Sequence, residues 1–290
     1  MSVKPMSMRT TALSPADEFP FTQADFKTIA DLVYEHSGIV LGDHKRDMVY
    51  SRLTRRLRAL RLRTFREYCT LLHGRSGEEE ISSLINAITT NLTKFFRESH
   101  HFEHLHKTVL AHIWRTTIGA KPRVRVWSAA CSTGEEPYSI AMTAMASRRE
   151  AGREWDFRVL ATDLDTSVLN KAMTGAYPAA ALEDVPAGMR ESGFAPTPSG
   201  VRVAPDIQAL ITFKQLNLLG PWPMRGPFDA IFCRNVMIYF DAETKAKLVE
   251  RLHSLLKPDG WLYVGHSESL LEQQHRFRLC GHTIYQKTGS

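Results

Sequence analysis

The feature that most constrains this chain is a change of pattern at about Lys121. Beyond it, short apolar runs alternate with helical stretches, at 124–127, 138–146, 158–161, 166–172, 230–233, 244–256 and 261–264. Strand and helix in alternation predict a mostly parallel sheet with helices on both faces. Residues 175–216 break the rhythm with five prolines (178, 186, 196, 198 and 205). Two β-like runs there, 201–204 and 210–214, predict a small antiparallel sheet inserted at about 176–215. From Thr22 to about Ala87 every periodic segment reads as helix. Thr22-Gln-Ala-Asp25 is a capping-box-like start, followed by Phe26, Ile29, Ala30 and Val33 at helical spacing, with Gly38 ending the helix. A second helix is expected from about 43 to 61, with Val49, Leu53, Leu57 and Leu60 inside an arc of about 80°. Thr64-Phe-Arg-Glu67 caps a third, and Ser76-Gly-Glu-Glu79 a fourth. The expected organisation is a loose tail (1–18), an all-α domain (19–87) and an α/β domain (88–290).

Charge is uneven. The chain carries +6 overall, yet residues 45–66 hold nine Lys/Arg against one Asp, so that segment alone is +8 and the remainder −2. Arg52, Arg55, Arg56 and Arg58 are read as a basic cluster on the other side of the helix. A basic stripe on a near-neutral body implies an acidic partner: nucleic acid, anionic lipid or an acidic protein surface. Four scattered cysteines (69, 131, 233, 280) make neither a metal knuckle nor a disulfide framework, which fits a reducing, cytoplasmic setting. No apolar run approaches the roughly 18 residues that a membrane span requires.

In open α/β sheets ligands bind beyond the carboxyl ends of the strands, and polar residues gather there. The first strand runs into Ser128-Ala-Ala-Cys-Ser-Thr-Gly134-Glu135-Glu136, a loop of small residues with one glycine. This is not the G-x-G-x-x-G fingerprint, and a Glu at the helix start repels pyrophosphate, so a ligand without phosphates is expected. The second strand ends at Asp163, suited to the two hydroxyls of a ribose, with Asp165 or Thr166 as helix cap. A later strand ends in Arg234-Asn235, with Tyr239 four residues on. His100, His101, His104 and His106 crowd one segment and read as an exposed helix face rather than a metal site. Cys131 and Cys233 read as packing residues.

Five runs carry a resemblance: Ile85-Asn-Ala-Ile-Thr-Thr-Asn-Leu-Thr-Lys-Phe-Phe-Arg-Glu98, Trp127-Ser-Ala-Ala-Cys-Ser-Thr-Gly-Glu-Glu-Pro-Tyr-Ser-Ile140, Ala161-Thr-Asp-Leu-Asp165, Phe228-Asp-Ala-Ile-Phe-Cys-Arg-Asn-Val-Met-Ile-Tyr-Phe240 and Leu256-Lys-Pro-Asp-Gly-Trp-Leu262. Together they closely resemble the CheR family, chemotaxis-receptor glutamate O-methyltransferases that use S-adenosylmethionine. The resemblance implies an all-α N-terminal domain followed by a class I methyltransferase domain with a small β-subdomain insert. It implies cofactor contacts from Asn91, Thr93, Arg97, Glu135, Asp163, Asn217, Leu218, Arg234 and Asn235, with Arg97 and Tyr239 beside the transferred methyl. How those two divide the work stays open. No metal is expected.

The implied reaction gives glutamate methyl esters on the cytoplasmic methylation region of a chemoreceptor, with S-adenosylhomocysteine as product. The implied docking face is Arg52/Arg55/Arg56/Arg58, on a monomer that neither enters a membrane nor binds nucleic acid. A rival reading is a nucleic-acid base methyltransferase. Its usual Asn/Asp-Pro-Pro-Tyr run is replaced here by Asn235-Val-Met-Ile-Tyr239, without the prolines. In some family members the β-subdomain captures a receptor's C-terminal peptide as an extra strand. Pro196 and Pro198 are expected to blunt that edge here.

Overall fold

The computed structural model describes residues 18–74, 77–89, 91–270 and 274–288. Nearly all of the expected tail and the expected cap Ser76 lie outside them. The chain divides into two compact units: residues up to His36 with Leu41–Ile88, and Ser37–Val40 with Thr89 onward.

The first unit is helical. Thr22 and Asp25 cap the helix Gln23–Ser37 reciprocally: the Asp25 carboxylate accepts the Thr22 N–H at 2.9 Å, and Thr22 Oγ1 accepts the Asp25 N–H at 3.2 Å. Gly38 follows at φ +69°, in the left-handed region. The helix Arg46–Leu60 buries Val49, Leu53 and Leu57, while Leu60, on the same arc, is only half-buried. Thr64 caps Phe65–Leu72 by accepting the Glu67 N–H at 3.1 Å, and Glu67 reaches back to the Arg63 N–H at 2.8 Å. A fourth helix spans Gly77–Ile88. Phe21, Tyr50 and Phe65 meet in an aromatic cluster, the Phe21 and Phe65 rings 4.1 Å apart.

The arginine face needs correction. Arg56 is not held out for a partner: its guanidinium forks onto the buried Glu80 carboxylate, which also accepts the Tyr68 hydroxyl at 2.8 Å. Arg52, half-buried, donates to the Ile88 carbonyl. Arg58 pairs with Glu18 at the surface, and Arg55 is exposed.

The second unit is built on a seven-stranded sheet. Strands β1 (Arg123–Ala129), β2 (Asp156–Asp163), β6 (Ile211–Gln215), β7 (Phe228–Cys233) and β8 (Leu256–Tyr263) are parallel. A C-terminal hairpin, β9 (Phe277–Gly281) and β10 (Ile284–Lys287), adds antiparallel, giving the order β6-β2-β1-β7-β8-β10-β9. Strand order reverses on either side of β1, which places the switch point at its carboxyl end. Three further strands, β3 (Ala176–Tyr177), β4 (Phe194–Thr197) and β5 (Gly200–Val203), form a separate antiparallel sheet ordered β3-β5-β4. The insert is therefore as expected in kind but shorter at its end. The run expected at 210–214 belongs to β6, at the edge of the main sheet, where Val159 pairs with Ile211. Hydropathy alone cannot assign a half-buried strand to one sheet or the other.

The helix Glu135–Ala151 joins β1 to β2 and buries most of its length. It starts from Gly134 at φ +97°, where a Cβ would lie 2.8 Å from the Ala172 side chain and 2.9 Å from the Tyr177 hydroxyl. Only glycine fits there. Val124, Val126, Tyr138, Phe157, Phe232 and Tyr263 form the centre of the core.

Candidate active site

The carboxyl ends of three adjacent strands define the site, since Ala129 pairs with Thr162 on one side and Cys233 on the other. Beyond β1 the backbone turns through left-handed Ala130 (φ +65°) and Ser132 (φ +50°). That turn aims the Ser132 N–H at Asp163 Oδ2, 2.7 Å away, while the Asp165 N–H meets Oδ1 at 3.0 Å. Each Asp163 oxygen keeps acceptor capacity, because a carboxylate oxygen takes two hydrogen bonds. Burial raises the Asp163 carboxyl above its usual value, against the pull of those backbone donors. Asp165 is the cap, accepting the Ser167 N–H at 2.8 Å.

The segment 91–98 is pinned by two buried phenylalanines. Phe95 packs edge-on to Tyr177 and Phe194, and Phe96 to Phe102. Asn91 donates to Asp165 at 2.9 Å, and its carbonyl accepts the Ser132 hydroxyl at 3.2 Å. Thr93 is half-buried. Arg97 lies between left-handed Phe96 (φ +52°) and Glu98 (φ +58°), half-buried, with Nη1 donating to the Leu92 carbonyl at 2.9 Å. Such backbone strain is concentrated where loops are held for function.

Glu135 and Glu136 have separate tasks. Glu135 Oε2 accepts the Thr133 hydroxyl at 2.6 Å, within the loop after β1. Glu136 points inward to Ser128 at 2.7 Å and to Arg234 Nη1 at 2.8 Å. Arg234, expected as a ligand contact, sends its side chain elsewhere: it is 6% exposed, pairs with Glu136 and Glu98, and donates to the Arg97 carbonyl. It ties the loop after β7 to the 91–98 segment. Leu218 is buried, and Asn217 accepts the Leu219 N–H at 2.9 Å. The preceding Leu216 N–H reaches the Asp163 carbonyl at 2.9 Å, which sets this pair beside the β2 tip. Asn235 is left-handed at φ +58°, and Tyr239 ends the turn Met237–Tyr239, half-buried.

The histidine-rich segment departs from expectation. His101 is fully buried rather than on an exposed face, and burial, aided by Arg234, lowers it to about 3. His104 bonds the Tyr263 hydroxyl at 3.0 Å. A carboxylate does join the histidines: Glu98, His100 and His101 bring ligand atoms within 4.8 Å of one another. Arg234 Nη2 already stands 3.4 Å from Glu98 Oε2, and this guanidinium occupies the place of a counter-cation. Burial tends to raise Glu98, yet Arg234 and His266 outweigh it and hold the carboxyl low. Cys131 and Cys233 are buried, their thiols pushed well up by burial, and are unsuited to nucleophilic work.

Two carboxylates were missed from the sequence besides Glu136. Glu98 closes the most conspicuous quoted run, and Glu268 follows the last parallel strand by five residues. Glu268 accepts four backbone N–H groups, from Asn235, Met237, Ile238 and Gly265. A glutamate three residues after a glycine at a strand tip was the available signal.

Acceptor-only carboxylates, a loop of small residues and acids at the helix start fit a ligand with a hydroxyl pair and a positive centre, without phosphates. The comparisons with known proteins agree with that chemistry. Residues 24–89 match the CheR methyltransferase all-alpha domain, and residues 91–286 the CheR methyltransferase SAM binding domain. The chain is 43% identical over 288 residues to chemotaxis protein methyltransferase 2 of Pseudomonas aeruginosa, covering 96% of this chain and 99% of that protein. It is 44% identical over 286 residues to the chemotaxis protein methyltransferase of Escherichia coli, covering 97% and 96%. The Borreliella burgdorferi protein of the same name is 35% identical over 252 residues, covering 86% and 89%. With both domains matched in order and a strand-end site of the required chemistry, the chain belongs to the CheR family of S-adenosylmethionine-dependent methyltransferases.

Proposed function

We propose that this protein methylates glutamate side chains in the cytoplasmic methylation region of chemoreceptors, working in the cytoplasm as a monomer. The near full-length likeness to chemotaxis protein methyltransferases carries this reading. Bound S-adenosylmethionine supplies an electrophilic methyl group on a sulfonium leaving group. A glutamate side chain, with a pKa near 4.3, arrives ionised at neutral pH and needs no general base. The buried thiols beside the strand tips agree with a site that does not use covalent catalysis.

Asp163 would accept from the ribose hydroxyls, and Glu135 and Asn91 would border the cofactor on the side of the loop after β1. Asn217, Leu218 and Asn235 would complete the lining, and Thr93 would line the same segment as Arg97. Arg97 can grip a carboxylate through its fork, leaving an oxygen lone pair for attack. Tyr239 would hold the second oxygen or orient the methyl donor. Alignment and partial desolvation of this kind supply up to about 7–11 kcal/mol in well-oriented reactions.

The acidic receptor surface would dock on the helix Arg46–Leu60 through its exposed arginines, Arg55 and Arg58. Arg52 and Arg56 support that helix from within the unit. The test is incubation with labelled S-adenosylmethionine and receptor cytoplasmic fragments. Label released by mild base, as a methyl ester requires, is the expected result. Base-stable label, or label on nucleic acid instead, would overturn it.

A further inference from the structure

Besides Arg234, one further side chain holds the loop that follows β7, by its backbone N–H groups. Glu268 Oε2 accepts the N–H of Asn235 at 2.8 Å and of Gly265 at 2.6 Å; Oε1 accepts the N–H of Met237 at 2.7 Å and of Ile238 at 3.3 Å. Both oxygens take two donors, so the carboxylate is saturated. It is 6% exposed, too buried for water to replace it. Its donors bracket the turn Met237–Tyr239 and the left-handed Asn235. A positive φ is uncommon outside glycine, although asparagine adopts it more readily than most residues. Here the N–H of that same residue is fastened.

The approach of the two loops is close. A Cβ on Gly265 would lie 2.3 Å from Asn235 Nδ2 and 2.8 Å from its backbone nitrogen. The segment after β8 is thus shaped to receive the Asn235 turn, and strand pairing brings it there, since Phe232 of β7 pairs with Tyr263 of β8.

We infer that Glu268 is a positioning residue for methyl transfer, acting through the backbone of residues 235–238 to set Tyr239. This rests on the role given to Tyr239 above. Glutamine at this position keeps the shape but turns an amide N–H₂ toward two of the four donors. The loop then has to move, and misplacement of about 1 Å can cost roughly 100-fold in rate.

The experiment has two readouts. Hydrogen exchange on the cofactor-free protein compares E268Q with wild type: amides at 235–238 and 265 should exchange at least about tenfold faster, while β1 and β2 are unchanged. Turnover is then measured for E268Q, Y239F and the double variant. E268Q should lose roughly 10- to 100-fold in kcat, and the double variant should be no worse than Y239F, because both changes remove one arrangement. Full turnover in Y239F would overturn the role of Tyr239 and this proposal with it. An impaired Y239F whose loss multiplies with that of E268Q, or unchanged exchange in E268Q, would overturn the proposal alone. Should E268Q fail to fold, E268D, which keeps the charge but draws the carboxylate back by one methylene, is read the same way. Collapse under both substitutions would make Glu268 a folding residue and overturn the proposal.

Discussion

Asp163 and Asp165 are the same residue type two positions apart, and their surroundings give them different work. Asp165 spends its acceptors on a helix start and on Asn91, whereas Asp163 faces only the backbone N–H groups of Ser132, Leu164 and Asp165 and keeps acceptor capacity for a ligand. D163N should therefore weaken S-adenosylmethionine binding by about 1.5–3 kcal/mol, ten- to over a hundredfold in Kd, since an amide offers fewer acceptors to the ribose. Calorimetry showing unchanged affinity would remove the ribose role. His101 carries a prediction of another kind. Burial first, then Arg234, lowers it to about 3 in the folded chain, against about 6.5 when unfolded. Between those values only the unfolded chain takes the proton. Stability is therefore fully present above pH 6.5 and falls as pH drops, by at most about 1.4 kcal/mol per unit. Denaturant titrations at pH 7 and 5 should show this loss in wild type and a smaller one in H101N. Equal losses would contradict it. Asp163 was legible because a polar residue closing an apolar strand is a local signal. The inward turn of Arg234 was not, because Glu98, Glu136 and Arg97 converge on it from distant segments.

Among the elements, the helix Arg46–Leu60 shows how a charge run divides once the chain folds. Its periodicity predicted an apolar and a basic face. At 100° per residue Arg55 and Arg58 project about 120° and 100° from the apolar arc, but Arg52 and Arg56 only about 60° and 20°, so the projection already marks the flanking pair, though not the acid that Arg56 meets. Arg56→Ala leaves Glu80 buried with Tyr68 as its remaining donor among the interactions described above, which should cost about 2–3 kcal/mol. Thermal unfolding of that unit reports it, and a shift within error would show the pair to be neutral. Charge reversal of exposed Arg55 and Arg58 should instead raise the receptor KM and leave cofactor affinity and melting nearly unchanged. The caps at Thr22 and Thr64 could be read in advance because capping is chemistry within four residues. The hairpin of β9 and β10 could not: β9 exposes Arg278, Leu279 and Cys280 in succession and has no alternating pattern to read. Nor could β6, whose place at the edge of the main sheet is set by pairing with β2, some fifty residues earlier.

For the whole molecule the question is how it finds its substrate. A body of −2 with a +8 segment on one unit should meet an acidic receptor by screened surface charge. Raising salt from 0.05 to about 0.5 M should lower methylation through the receptor KM rather than kcat. A tether would make that encounter intramolecular and weaken its salt dependence. The small sheet argues against one. Its order is β3-β5-β4, so an added strand would need the outer edge of β3 or of β4. β3 is two residues long, too short to template a peptide. In β4, Thr197 pairs with Gly200 across the two-residue turn Pro198-Ser199, and Pro196 pairs with Val201. In a two-residue hairpin the closing pair exchanges both bonds, so the next pair directs its backbone groups outward. The outward positions of that edge are thus Pro196, which has no N–H, and Phe194, so the proline leaves the four-residue strand one outward donor instead of two. We therefore predict that methylation does not depend on a receptor C-terminal peptide. Deleting a receptor's last residues should change its rate less than about twofold, and the free peptide should neither bind measurably nor inhibit. Tight binding of the peptide together with a large loss on truncation would show that the sheet offers an edge elsewhere and that recruitment, not surface charge, sets the encounter.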